Sequence, residues 1–349
     1  MSVTVHQRPG VYSSYDASSV VSGSGGGKMV GIVSVNTKAE AGVVQIITSY
    51  DKAVSAFGTE GLAELVRLAL KNGASAVAAV PVASEAGYEA AFEALEGVEG
   101  VSLVLCGSTE LAVQQKLKES VEKSSAQRME RIALAAGAGD ESVDGLIARA
   151  AGLNSERVVL VAPGCVDGEG NALSGVAVAA AVAGALAGET DPAVPLGGAE
   201  LLGLNGLTER YSENDLDRLI LGGVTPVESL NGTVSVVRGV TTRTTTGGAA
   251  DNTWHDLSTI RVVDDVIPAL RASLRSKFRR AKNTARSRGA IRAQVVLELE
   301  NKLRQEIITG YENVAVIADP EEPTRCLVDF SFTVAHGLNQ IWLTAHIAV

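Results

Sequence analysis

Between residues 29 and 163 the chain switches its hydrophobic period repeatedly. MVGIVSV (29–35), AVAAVPV (76–82), VSLVLC (101–106), RIALAA (131–136) and RVVLVAP (157–163) are short, nearly continuous apolar runs. Between them lie stretches with helical signals at 51–57 and 62–71, then at 84–95, 109–126 and 142–152. Apolar runs without polar alternation fit strands buried on both faces, and parallel strands need crossovers of the kind these helices provide. The expected class is therefore α/β, with a parallel sheet between helical layers. VVQII (43–47) reads as a further strand and 174–187 as a long buried helix. The longest apolar run, 176–187, has 12 residues, short of the ~20 that span a bilayer. Aromatics make up only 4% while glycines number 37, a composition suited to helices lying close against a sheet.

Outside this body the pattern changes. Residues 189–257 read as loop- and turn-rich, with Pro192, Pro195, Gly197-Gly198, Gly222-Gly223 and Gly247-Gly248, and with a hairpin at Asn231-Gly232. After it, 266–281 reads as helix, and Ile291, Val295, Leu299, Leu303 and Ile307 recur every four residues along a second one. Strands are expected at 313–318, 325–335 and 340–349, the last two joined by a turn at His336-Gly337-Leu338-Asn339. At the other end, 1–22 is a β-prone arm and Gly23 to Gly27 a flexible linker. The first eight residues have no apolar core of a signal peptide. The expected divisions are an arm and linker (1–27), an α/β body (28–254) and a C-terminal α+β assembly domain (255–349). Strand-like ends suit addition to another subunit's sheet. Val3, Val5, Val11 and Tyr12 in the arm, with Ile341, Leu343, Ala345 and Ile347 in the last strand, are the exchange candidates, and Gly25, Gly26 and Gly27 the hinge.

A parallel sheet invites an enzymatic reading, yet the chemistry is missing. GSGGGK (23–28) has Ser22 where a phosphate-binding loop needs its first Gly, and Met29 where it needs Ser or Thr. The histidines are His6, His255, His336 and His346, so none lies in residues 28–254 to serve a nucleophile such as Ser108. Gly137-x-Gly139 is too short for a dinucleotide fingerprint. Cys106, Cys165 and Cys326 lack metal-ligand spacing, and the acid pairs Asp264-Asp265 and Glu298/Glu300 read as solvated. No catalytic residue, cofactor or metal is assigned.

Charge supplies the remaining feature. The chain carries a formal −10, yet RASLRSKFRRAKNTARSRGAIR (271–292) holds nine Lys or Arg and no acid. An acidic partner and a solvated helix face are both open readings, and a nucleic-acid contact is a third. At 100° per residue Arg271, Arg275, Arg279, Lys282 and Arg286 share an arc of about 80°. Ile267, Leu270, Leu274, Phe278 and Ala281 lie on the neighbouring apolar arc, and a break is expected near 283–289.

Several stretches together resemble the contractile tail sheath proteins of myophage tails, R-type bacteriocins and related injection particles. These are RPGVY (8–12), APG (162–164) followed by SGVAVAAAVAGALAG (174–188), LGGVTPVESLNGTVSVVRGVTTRT (221–244) and KNTARSRGAIRAQVVLELENKLRQEIITGY (282–311). The resemblance implies a subtilisin-like central fold without catalysis, and hexameric rings stacked helically around a tail tube. It further implies strands donated between neighbouring C-terminal domains, and contraction triggered by a baseplate. Partners would be further copies, the tube protein, and baseplate and terminator proteins, with no nucleic acid and no membrane insertion. Assembly would take place in the bacterial cytoplasm, and the five-residue basic arc would face the tube. An oligomeric α/β enzyme and a nucleic-acid binder using 271–292 are the alternatives.

Overall fold

The computed structural model describes residues 28–339 other than 140, 167–169, 171 and 174. The proposed exchange residues Val3, Val5, Val11, Tyr12, Ile341, Leu343, Ala345 and Ile347, and the hinge Gly25, Gly26 and Gly27, lie outside the described residues.

In chain order the body comprises β1 (Met29–Val35), β2 (Gln45–Ile47), α1 (Tyr50–Phe57), α2 (Leu62–Lys71), β3 (Ala76–Val82), α3 (Tyr88–Glu96), β4 (Val101–Cys106) and α4 (Leu111–Ala126). It continues with β5 (Ile132–Ala136), α5 (Val143–Leu153), β6 (Val158–Ala162), a small pair β7 (Cys165–Val166) and β8 (Ala172–Leu173), and α6 (Gly175–Gly188). Then come α7 (Glu213–Leu221), β9 (Val224–Leu230), β10 (Thr233–Val236) and a second small pair, β11 (Thr245–Thr246) and β12 (Ala249–Ala250).

Eight strands form one sheet in the order β10-β9-β6-β5-β4-β1-β3-β2. The six central strands are parallel, and β2 and β10 are antiparallel at the edges. Strand alternation sends Val30, Ile32, Leu103, Leu105, Leu134 and Val159 to one face, under α2 and α6. It sends Val33, Val80, Val104 and Ala133 to the other, under α3 and α4, where α5 and α7 continue the layer over Ala135 and Leu160. Helix α6 is buried on nearly every side, which its Ala and Gly content permits. A Cβ at Gly184 would lie 2.4 Å from the Ala69 carbonyl oxygen, so α2 and α6 meet backbone to backbone.

The C-terminal part comprises α8 (Leu257–Phe278), α9 (Ala285–Arg304), β13 (Ile308–Ala318) and β14 (Cys326–Val334). Its core is separate, with Val262, Val266 and Leu270 of α8 meeting Val295, Leu299, Ile307 and Ile308. Helix α8 serves both cores, because Leu257 and Ile260 in its first turn pack into the body. Polar groups fasten it further along. Arg157 at the start of β6 makes a two-pronged pair with Asp264, both contacts 2.9 Å. Arg261 donates to the carbonyls of Val194, Glu189 and Asp191.

Four departures from the sequence reading have local causes. The stretch 189–257 contains α7, whose N-cap Ser212 accepts from the Asp215 amide at 3.2 Å. Helix α8 begins well before 266 and runs through Pro268, since packing on both sides outweighs one missing backbone bond. The break falls at 279–284 rather than 283–289, because Thr284 caps α9 by accepting from the Ser287 amide, which leaves Gly289 inside the helix. The first C-terminal strand starts at Ile308, so Ile307 sits in the turn after α9 while still filling the core.

Candidate assembly surfaces

Two surfaces stand out, a strand ribbon and a basic stripe. In β14 the residues alternate. Val328, Phe330, Phe332 and Val334 pack toward α8 and α9, while Leu327, Asp329, Ser331 and Thr333 are exposed. β13 pairs antiparallel with β14, with irregularities between Ile308 and Gly310 and between Glu312 and Ala315. Among the described residues these two strands pair only with each other, so each has an outer edge carrying backbone donors and acceptors. A two-stranded ribbon is marginal alone in water; the helices beneath support this one. Its loop is tied down by Asp319, whose carboxyl is held low by the Arg325 guanidinium. Asn283, in the turn between the helices, also donates to the carbonyls of Pro323 and Arg325 at 2.8 and 3.2 Å.

Beside the ribbon, α8 and α9 meet along a polar seam. Lys277 donates to Gln294 at 2.6 Å, Gln294 donates to Ser273 and Glu298 at 2.8 Å, and Ser273 donates to Glu298 at 2.7 Å. Sequence periodicity gave no sign of this seam, whose partners lie about one helix apart along the chain. The acids read as solvated are engaged, with Asp264 on Arg157, Asp265 on Lys302, Glu298 in the seam and Glu300 accepting from Tyr311.

The basic arc is split. Arg271, Arg275 and Arg279 line one shallow groove with Pro268, Ala272 and Ser276. Lys282 lies in the interhelical turn and Arg286 in the first turn of α9, off that face. Arg271 is half-buried and spends its charge inside the chain, on Glu130 of the body at 2.9 Å. Arg275 and Arg279 are exposed and no ion pair within the chain engages them among the described residues. Ala281, placed on the apolar arc by the sequence, is exposed because the helix has ended.

Ser108 is 4% exposed, and its hydroxyl accepts from the Glu110 amide at 3.1 Å. Burial pushes the Cys106 thiol up to about 12, leaving it protonated. Among the described residues no cluster of His, Cys, Asp and Glu suits a metal, and no helix is long and apolar enough to cross a membrane.

Fold and surface thus define an α/β body carrying an appended α+β unit whose two-stranded ribbon, among the described residues, pairs with no further strand. Two family models cover most of the chain, the phage tail sheath protein central domain over 82–242 and the phage tail sheath C-terminal domain over 249–348. The chain belongs to the phage tail sheath family. It is 26% identical over 241 residues to the tail sheath protein of Bacillus phage SP01, spanning 67% of this chain but only 41% of that protein's length. Among solved structures it is similar to the anti-feeding prophage helical sheath in contracted state (TM-score 0.74, 17% identity, 98% and 99% of the two chains). It is also similar to the sheath tail protein of Desulfitobacterium hafniense (TM-score 0.70, 13% identity, 93% and 100%). A chain of the anti-feeding prophage baseplate, six-fold symmetrised, matches with TM-score 0.74 at 17% identity over 99% and 100%.

Proposed function

We propose that this chain is the structural subunit of a contractile sheath, polymerising as stacked hexameric rings around a tail tube. Contraction then drives the tube through a target envelope. The observation that carries this reading is the β13–β14 ribbon, whose two strands pair only with each other among the described residues. A strand from each of two neighbours would complete it, backbone hydrogen bonds giving connection and side-chain alternation giving register. The arm around Val3, Val5, Val11 and Tyr12 and the last strand around Ile341, Leu343, Ala345 and Ile347 are the segments to be donated. Gly25, Gly26 and Gly27 would let bodies rotate while those links hold. The role is mechanical rather than enzymatic, and membership of the sheath family supports it. The six-fold symmetry of the anti-feeding prophage baseplate supports hexameric rings. Tube, baseplate and terminator proteins would be the partners, and the bacterial cytoplasm the place of assembly. Toward the tube we assign Arg275 and Arg279, with Lys282 in the following turn and Arg286 at the start of α9 as further candidates; Arg271 positions α8 through Glu130. Exposed ion pairs are worth roughly 0–1 kcal/mol each, so many weak contacts would template the sheath and still release during contraction.

Electron microscopy of the purified chain with its tube tests this reading. Tubular sheaths of fixed helical repeat are expected, and a persistently monomeric chain would contradict it.

A further inference from the structure

One cavity contains more unanswered donors than the fold explains. It has a volume of about 430 Å³ and lies at the N-terminal ends of β1, β4 and β5, with Asp264 and Pro268 of α8 across it. Arg131, only 2% exposed, is on its wall. One end of that guanidinium is satisfied, since Nη2 donates to the carbonyls of Val98 at 2.9 Å and Glu96 at 3.3 Å. Its Nε is buried and donates to nothing, and the Ser102 hydroxyl on the same wall is buried and equally unpartnered. Lys28 also lines the cavity, and its ammonium has no ion pair or hydrogen bond among the described residues.

The charges do not balance either. Arg261, 5% exposed and on the same wall, is answered only by neutral carbonyls. Three acids line the cavity: Asp264 and Glu130 are committed to Arg157 and Arg271, each at 2.9 Å, and Glu99 is exposed, with no ion pair among the described residues. The exposed Lys28 and the buried Arg131 and Arg261 therefore face the cavity with carboxylates nearby (Asp264 and Asp265, Glu96, and Glu189 with Asp191, respectively) but none in hydrogen-bond or ion-pair contact among the described residues. Burying a cation is costly unless an anion and acceptor atoms meet it, and an unanswered buried donor carries its own desolvation cost.

We propose that this cavity binds an oxyanion, a carboxylate or phosphate group, held between Lys28, Ser102 and Arg131. Such a group brings negative charge and several acceptor oxygens together, which is what these donors lack. Seated there, it bridges the strand ends of the body to the α8 side of the cavity and stiffens the seam between the body and the C-terminal unit. Its source is either a free small anion or an acidic side chain of a second copy. The anion site stands on the cavity alone; only the second-copy source rests on the sheath reading.

Isothermal titration of inorganic phosphate into the unassembled full chain tests it, with chloride at matched ionic strength as the control and glutarate as a carboxylate probe. Saturable binding by either anion is expected, weakened about tenfold by Lys28→Ala and again by Ser102→Ala, each removing one charge-assisted or polar contact. Both variants keep the carbonyl contacts of Arg131, and circular dichroism checks that they fold. Assembly then separates the sources. If a second copy supplies the carboxylate, phosphate competes and raises the protein concentration needed to polymerise. If the anion is free, the polymer retains saturable phosphate binding. No saturable binding by either probe, or binding unchanged in both variants, overturns the proposal.

Discussion

Replacing Gly184 by Ala tests how the body is packed. The new Cβ would stand 2.4 Å from the Ala69 carbonyl oxygen, 2.7 Å from the Asn72 Cβ and 3.0 Å from the Ala69 carbonyl carbon. The shortfall against an ordinary contact of 3.4 Å is about 1.0 Å at the oxygen. Two of those atoms are backbone, so no rotamer change relieves the clash and α2 must move off α6. Separation is resisted on the neighbouring turn too, because Gly73 and Gly188 also meet backbone to backbone, a Cβ at Gly73 lying 2.8 Å from the Gly188 Cα. Overpacking of this kind costs roughly 1–3 kcal/mol, and the rigid partners put it near the top of that range. Helix propensity returns up to about 1 kcal/mol for Gly to Ala, leaving a net loss of roughly 1–2 kcal/mol. Urea unfolding of the unassembled chain, followed by circular dichroism, measures it. Gly97→Ala is the control, since a Cβ there meets nothing within 4 Å and should stay within about 0.5 kcal/mol of the parent. A Gly184→Ala variant as stable as the Gly97→Ala variant would refute the close-packed α2–α6 contact.

Further outcomes follow from the same geometry. Asp264→Ala strands the Arg157 guanidinium, whose side chain is only 13% exposed, and should lower stability by about 3–5 kcal/mol; Arg157→Met with Asp264→Leu should recover most of it in the same urea assay. His255 has both ring nitrogens buried and unpartnered, and burial, then Arg238, holds its pKa below the ordinary value. The unfolded chain therefore binds that proton more readily, so stability should fall as pH drops below about 6.5 and stay flat above it; urea midpoints of His255→Gln should lose that part of the slope. Arg275→Glu with Arg279→Glu should leave the melting temperature within a degree or two and abolish tube-templated assembly seen by electron microscopy. Raised salt should weaken parental assembly in the same direction, because screening shortens to about 3 Å at 1 M.

Much of the body was legible because one signal dominates there. Buried strands such as 76–82 and 101–106, and the amphipathic helix 62–71, appear with the boundaries their hydrophobic pattern implies. Legibility failed where long-range packing overrode local grammar. The first turns of α8, before 266, and the whole of α7, beside the Gly222-Gly223 turn, went unread, and tertiary contacts stabilise both. The split of the basic arc turned on a cap, Thr284 on Ser287, that a charge count does not register. The pairing of Arg271 with Glu130 was hidden for a different reason: the two are 141 residues apart, and sequence spacing carries no information about such a contact. The ribbon's two strands were legible in the sequence, but that they pair only with each other among the described residues became apparent only once the sheet order was known.

Strand donation to the β13–β14 ribbon is best tested by hydrogen–deuterium exchange, comparing the unassembled chain with the polymer. Donation predicts that backbone amides along the outer edges of both strands become protected on assembly. It also predicts that protection at one edge is lost when residues 1–20 are deleted, and at the other when the chain is cut before Gln340. Polymers that form with those edge amides still exchanging freely, or full-length sheaths built by either truncated chain, would contradict it.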